Sequence, residues 1–149
     1  MRNRNLRAFS MIELIFVIVI LGIIAAIAIP KLTLSRSDAQ FSAINADIQS
    51  IISSMQQKFL TEEVSGDING QMIMTTANLS PLRWVPQNGS VVLGKNSTPD
   101  TKNNCLTISV NNSTLTLSVN VAQTPASPLC KKLHEAYPTS QTFQLERFN

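Results

Sequence analysis

A membrane-length apolar run with a single acid near its start is the feature that most constrains this chain. The run extends over residues 9–30, and residues 14–29 contain no charged side chain. The 21 residues from Phe9 to Ile29 would form a helix of about 32 Å, enough to cross the hydrocarbon core of a bilayer. The length of the run, its lack of apolar–polar alternation and its internal Gly22 predict a transmembrane helix rather than a buried strand. Pro30 ends the run and is expected to kink the helix rather than to end it.

The acid in this run is Glu13. A carboxylate inside a bilayer helix costs on the order of 2.5–3.5 kcal/mol on insertion scales, so we expect it to have a partner. We interpret the run as a segment that first lies in a membrane and later packs against copies of itself.

The net positive charge of the chain comes from three arginines that precede the apolar run, Arg2, Arg4 and Arg7. The whole chain has 12 basic and 9 acidic residues, so the part beyond these arginines has nine of each and is neutral. A nucleic-acid-binding protein is not indicated, because no basic excess remains there to release counterions. Arginines before an apolar helix instead follow the positive-inside rule and predict a cytoplasmic N-terminus.

Beyond Pro30 the sequence predicts that the helix continues to about Leu60 with one apolar face. Apolar residues recur there at steps of three and four, as expected for an amphipathic helix: Phe41, Ile44, Ile48, Ile51, Ile52, Met55 and Phe59. The other face is polar and includes Asn45 and Asp47. A single helix from Phe9 to Leu60 would be about 75 Å long, which soluble domains rarely need.

The region after Gly66 resembles short strands joined by turns. The clearest prediction is a hairpin of residues 106–110 and 115–121, in which apolar and polar residues alternate on both sides of Asn111-Asn112. Its apolar face needs a cover, which the stripe of the long helix can provide. Weaker strand candidates are residues 71–76, 82–85, 90–93 and 142–148, and the Pro-rich residues 122–138 are expected to form an irregular loop.

We therefore predict an α+β fold, in which a long N-terminal α-helix packs on a small antiparallel β-sheet. The predicted segments are a basic leader at residues 1–8, a transmembrane or filament-core helix at 9–30, an amphipathic helix at 31–62 and a β-rich globular region at 63–149. The only two cysteines, Cys105 and Cys130, lie in the last segment. If that segment is exported, we expect a disulfide worth about 3 kcal/mol, and otherwise two buried thiols.

These features closely resemble the type IV pilin family, which includes the pseudopilins of type II secretion and DNA-uptake systems. The similar stretch is residues 7–32, with Phe9 after a basic leader, Glu13 four residues further on and Pro30 twenty-one residues further on. The resemblance implies that a membrane-embedded prepilin peptidase cuts between Ala8 and Phe9 and methylates the new amine. It also implies a pilin-like fold and subunits that stack by their long helices into a thin filament, driven by an assembly ATPase and its inner-membrane platform.

One position departs from the family pattern. The residue before the cut is usually Gly, and here it is Ala8. Alanine is still small enough for a tight protease subsite, so we expect cleavage to proceed, with lower efficiency.

Cleavage before Phe9 gives Glu13 a partner. The new α-amine has a reference pKa of about 7.7–8.0 and is largely protonated at neutral pH. In an apolar filament core an unpaired carboxylate and an unpaired ammonium are both costly. A pair between Glu13 and the Phe9 amine of a neighbouring subunit would remove both costs and specify the axial register.

The function that this sequence predicts is a structural, non-enzymatic filament subunit, preferentially a pseudopilin of a secretion or DNA-uptake machine because the globular part is small. Its expected partners are other pilins in a homo- or hetero-oligomeric filament, prepilin peptidase, the assembly platform and, before assembly, membrane lipid. Nucleic acid would be a partner only in a DNA-uptake pseudopilus. We expect a single-pass bacterial inner-membrane protein with a periplasmic C-terminal domain, which later enters a filament in the periplasm or on the cell surface. The alternatives are a surface pilin for adhesion or motility, and a membrane-tethered periplasmic binding module that does not polymerise.

No catalytic residue, cofactor or metal site is expected. The single histidine, His134, has no catalytic constellation around it, and Lys131 and Lys132 are expected to be solvated. Major secretion pseudopilins bind calcium through a C-terminal loop, but residues 122–142 of this chain contain only one acid, Glu135. That site is therefore not carried over.

N-terminal sequencing of the mature protein tests the proposed processing. We expect the first residue to be Phe9. An ordinary signal peptide cut after Ala26-Ile27-Ala28 would give Ile29 instead, and an uncleaved anchor would give Met1.

Overall fold

A single helix, α1, extends from Met11 to Thr61 and passes through Pro30 without interruption. The computed structural model describes residues 10–62, 64 and 67–145, with the backbone alone for residues 27–35. The prediction of one continuous helix is confirmed. The predicted leader, with Ala8, and the predicted cleavage residue Phe9 lie outside the described residues.

The chain divides into two compact units, with the boundary between Arg36 and Ser37. In the first unit, the large apolar side chains of residues 11–24 are exposed. None of the helices in the described part of the chain combines the length and the apolar character that a membrane crossing requires. The transmembrane helix predicted for residues 9–30 therefore remains a prediction.

The second unit contains an antiparallel sheet of six strands in the part of the chain that the structure describes. The spatial order is β1-β2-β4-β5-β6, and β3 pairs with β2. The strands are β1 (Trp84–Gln87), β2 (Ser90–Lys95), β3 (Thr98–Pro99), β4 (Leu106–Asn111), β5 (Thr116–Val121) and β6 (Gln141–Gln144). Helix α2 (Gly70–Thr76) precedes β1, and α3 (Pro128–Ala136) lies between β5 and β6.

The β4–β5 hairpin is the predicted one. Its register pairs Leu106 with Val121 and Asn111 with Thr116, which places alternate apolar side chains on one face of the sheet. Those side chains are buried, namely Leu106, Ile108, Val110, Leu117, Val119 and Val121. The second strand begins one residue later than predicted, because Leu115 has a φ of 45° and belongs to the turn.

The apolar stripe of α1 covers this face, as predicted. Its central residues are buried in the same core cluster as the inward side chains of the sheet, and Phe41 and Phe59 are partly buried against that cluster. The buried stripe residues are Ile44, Ile48, Ile51, Ile52 and Met55. The second unit thus has the α+β, pilin-like arrangement of a long helix on a small antiparallel sheet.

The prediction of a strand at residues 71–76 is wrong, because this segment is helix α2. Asn69 caps the helix, since its side-chain Oδ1 accepts a hydrogen bond from the backbone N–H of Met72 at 2.9 Å. The buried residues of the segment, Gly70, Ile73, Met74 and Ala77, follow the i, i+3, i+4, i+7 spacing of a helix rather than the alternation of a strand.

The prediction of an irregular loop over residues 122–138 is also wrong in its second half, which contains α3. Ser127 is the N-cap, and its Oγ accepts a hydrogen bond from the backbone N–H of Cys130 at 3.1 Å. Pro128 occupies the first turn, where its fixed φ suits a helix and its missing N–H has no intrahelical partner to lose.

The remaining strand predictions are close to the observed elements. The strand predicted at residues 82–85 is β1, displaced by two residues, and the one at 90–93 is β2, which continues to Lys95. The last predicted strand, residues 142–148, corresponds to β6, and residues 146–149 lie outside the described part of the chain.

The N-terminus of α2 packs directly on the turn between β1 and β2. A Cβ atom at Gly70 would overlap the carbonyl oxygen of Ser90 and would lie 2.7 Å from the backbone nitrogen of Gln87. Because these are backbone atoms, they cannot move aside as a flexible side chain would. Gly70 thus permits the close approach that buries α2 against the sheet.

We expect Gly70→Ala to lower the free energy of unfolding by about 1–3 kcal/mol, the usual cost of overpacking a tight contact. Urea denaturation followed by the fluorescence of Trp84, the only tryptophan, measures this change. Gln71→Ala is the matched control, since Gln71 is exposed in the same helix, and we expect a change of no more than about 0.5 kcal/mol. Equal effects of the two substitutions would contradict the packing argument.

Candidate functional site

Ser10 caps the N-terminus of α1 next to Glu13. The backbone N–H of Glu13 donates hydrogen bonds to the backbone oxygen of Ser10 at 3.1 Å and to its Oγ at 3.2 Å. The pair has the spacing of a capping box, in which Ser is the N-cap and Glu stands three residues later. Ser10 is not among the predicted site residues, although the Ser-x-x-Glu pattern of residues 10–13 identifies it.

The Glu13 carboxylate itself is exposed and takes no part in these two hydrogen bonds. Among the described residues, no group lies within hydrogen-bonding or ion-pairing distance of it. Its place in the first turn of α1 is electrostatically favourable, because the N-terminal end of a helix carries a partial positive charge. The carboxylate can therefore pair with a cation from another molecule without losing a bond to any described residue.

Glu13 lies in an exposed apolar surface that we call the N-terminal surface, formed by residues 11–26. Every side chain in this range is exposed, and Met11 reaches 81%. Monomeric soluble proteins rarely expose a continuous apolar surface of this size. Large exposed apolar surfaces mark sites of contact with protein or membrane. The arrangement thus combines a surface that requires a cover with one carboxylate that requires a counter-ion.

The predicted site residues do not form one cluster. Glu13 and Pro30 are seventeen residues apart on α1, which corresponds to about 25 Å along a helix. Cys105 and Cys130 lie in the second unit and are joined by a disulfide, with their Cα atoms 5.9 Å apart.

A polar contact between α1 and the sheet was not predicted from the sequence. Asp47 lies on the polar face of α1, and its Oδ2 accepts hydrogen bonds from Arg83 Nη1 at 2.5 Å and from Trp84 Nε1 at 2.7 Å. Trp84 is fully buried, so Asp47 satisfies a donor that would otherwise lose its hydrogen bond to water. This contact joins α1 to the start of β1.

A second set of polar contacts joins α1 to α3. The Tyr137 hydroxyl donates to Asn45 Oδ1 at 2.5 Å, and Lys132 forms an ion pair with Asp38. The prediction that Lys132 is merely solvated is therefore wrong. None of these partners was visible from the sequence, because each pair is more than ninety residues apart.

The pKa of the Asp100 carboxyl lies below its ordinary value. Partial burial by itself raises this pKa. The pKa is lowered by hydrogen bonds from the Asn103 side chain and from the backbone N–H groups of Lys102 and Asn103, and by the charge of Lys95, and these effects together prevail. These bonds lie within one turn, so Asp100 stabilises that turn. In the described part of the chain, no three His, Cys, Asp or Glu side chains are grouped as a metal ion would require.

A family model for the prokaryotic N-terminal methylation motif matches residues 3–29. The chain carries the N-terminal methylation motif of type IV pilins and pseudopilins. No curated protein and no solved structure gives a significant match to the chain. The matched stretch contains Glu13 and the whole N-terminal surface, whereas the second unit lies outside the match.

The motif implies processing by prepilin peptidase and assembly with other pilins into a filament. Pilins of this type are structural and generally non-enzymatic. The comparison does not distinguish a secretion pseudopilin from a surface pilin, since the motif is common to both.

We expect Asp47→Ala to lower the free energy of unfolding by about 1–3 kcal/mol, because it leaves the buried Trp84 N–H without an acceptor. Asp47→Asn keeps an acceptor oxygen and should cost less. Urea denaturation of both variants compares the two effects. A cost for Asp47→Asn that equals the cost for Asp47→Ala would show that the charge, and not the hydrogen bond to Trp84, is what matters.

Proposed function

We propose that this pilin-like chain assembles into a filament through the N-terminal surface of α1, with Glu13 paired to the Phe9 amine of a neighbouring subunit. The observation that carries the proposal is the exposed Glu13 carboxylate within an exposed apolar surface, at the position that the N-methylation motif covers.

In this proposal the apolar part of the surface requires a cover at every stage. Burying one large apolar side chain is worth about 1.5–3 kcal/mol, and residues 11–24 include twelve such exposed side chains. Lipid can cover them before assembly, and the same helix of other subunits can cover them afterwards. The chain is accordingly proposed to be held in the inner membrane, with its N-terminus in the cytoplasm and its second unit in the periplasm.

In this proposal Glu13 fixes the axial register between the helices of neighbouring subunits. Apolar helices alone can slide past each other, because many axial offsets bury similar areas. A carboxylate that must meet an ammonium in an apolar surrounding selects one offset, since every other offset leaves two unpaired charges. The partner ammonium exists only after cleavage between Ala8 and Phe9, so this pairing makes assembly dependent on processing.

Within this class we propose a pseudopilin of a type II secretion or DNA-uptake machine. The support is the small size of the second unit, in which one sheet and two short helices follow α1. Separate assays of protein secretion, DNA uptake and surface piliation in cells that lack the chain would distinguish the machines. Loss of surface pili alone would favour the surface-pilin alternative.

Substitutions at Glu13 separate the charge from the cap. Glu13→Leu removes both the charge and the polarity of the side chain, while the backbone N–H that the Ser10 cap uses remains. Glu13→Gln removes the charge but keeps a side chain that the capping box accepts. We expect both variants to be processed and to lose filaments, which electron microscopy of sheared preparations measures.

The matched control is Ser10→Ala, which removes the cap oxygen and leaves the charge. We expect this variant to retain filaments, at a cost to helix stability of about 1 kcal/mol. Filaments in the Glu13→Gln variant at the wild-type level would contradict the proposed charge pair. Loss of filaments in the Ser10→Ala variant would instead assign the function of this turn to helix capping.

A further inference from the structure

Helix α3 contacts α1 at two polar points in the second unit. Lys132 pairs with Asp38, and the Tyr137 hydroxyl donates to Asn45. The contacts are seven residues apart on α1 and five apart on α3, and they occur in the same order along both helices. Helix α3 therefore runs alongside residues 38–45 of α1, in the same direction.

The disulfide ties α3 to the start of β4. Cys130 lies in the first turn of α3, and Cys105 directly precedes β4. The carbonyl oxygen of Cys105 accepts a hydrogen bond at 2.7 Å from the backbone N–H of Ala122, directly after β5. The disulfide thus connects α3 to the open end of the β4–β5 hairpin, where Cys105 and Ala122 lie.

We propose that α3 is a clamp on residues 37–47 of α1, and that the disulfide between Cys105 and Cys130 keeps this clamp closed. The contacts of α3 with α1 are individually weak. The side chain of Asp38 is 56% exposed and that of Lys132 is 33% exposed, so solvent screens the ion pair. They act together only while α3 stays in place. Its buried Leu129 and Leu133 anchor it in the core, and the disulfide further restricts its freedom covalently.

A second contact allows the clamp to be tested. On another side of α1, Asp47 binds Arg83 and Trp84 of the β1 region. This contact involves neither α3 nor a cysteine, so opening the disulfide leaves it intact. Besides the core packing of Ile44 and Phe41, residues 37–47 thus have polar contacts with α3, which we expect to depend on the disulfide, and a polar contact with the β1 region, which does not.

Amide hydrogen exchange of the full chain in detergent micelles tests the proposal, because exchange reports local opening of each segment. The oxidised protein is compared with protein treated with a dithiol, which becomes a disulfide as it passes two electrons and two protons to Cys105 and Cys130. The Cys105→Ser/Cys130→Ser double variant provides the same comparison without a reductant.

We expect exchange to become about tenfold faster in α3 and in residues 37–47 when the disulfide is absent, and to stay unchanged in the β4–β5 hairpin. Faster exchange throughout the second unit would overturn the proposal and make the disulfide a general staple of the unit. Faster exchange in α3 with no change in residues 37–47 would show that α3 does not hold α1, and would also overturn it.

Tyr137→Phe tests the clamp while the disulfide is intact. This test therefore does not require the chain to fold without the disulfide. It removes one hydroxyl from the contact with Asn45, so we expect exchange about fivefold faster in residues 42–47. Asp47→Asn is the comparison on the other side of α1, and its effect should add to that of the reduced disulfide. The same exchange in wild type and Tyr137→Phe would overturn the proposal.

Discussion

The contact between the apolar stripe of α1 and the inner face of the sheet is the interaction on which the rest of the second unit depends. Ile48, Ile51 and Met55 are fully buried in it. A sheet with one apolar face cannot leave that face in water, and the helix is the element long enough to cover it. The polar contacts of Asp47 and Asn45 border this buried area, so they fix the position of the helix while the apolar contact supplies most of the stability.

The same helix meets two different burial problems on either side of the boundary at Arg36 and Ser37. Residues after the boundary have an apolar stripe and bury it within the chain. Apart from Glu13, residues 11–26 are apolar on all sides and exposed, and a helix of that kind is typical of a membrane span or of the interior of a larger assembly. The first problem is solved by this chain alone, whereas the second requires other molecules. That division is what a subunit stored in a membrane and later packed into a filament needs.

Hydrophobic periodicity predicted the long elements and failed for the short ones. Helix α1 and the β4–β5 hairpin extend over enough residues for their period to be distinct. In α2, seven residues contain adjacent Ile73 and Met74, which suit a buried strand as well as a helix. In α3, the Pro-rich character of residues 122–138 predicts an irregular loop, although Pro128 after the Ser127 cap is a helix-start signal. The contacts of Asp47 and Tyr137 depend on how distant segments pack, and no local pattern encodes them.

Glu13 was predictable because an acid is conspicuous in an apolar run, but Ser10 changes how its role is understood. The cap uses the backbone N–H of Glu13, so the end of the helix is secured without any demand on the carboxylate. Cleavage before Phe9 would leave Ser10 as the second residue of the mature chain, with its Oγ still in place to cap the helix. The partial positive charge at this end of the helix favours the carboxylate. In the proposed filament, the ammonium of a neighbouring subunit would add to this stabilisation and would offset the cost of an acid in an apolar surrounding.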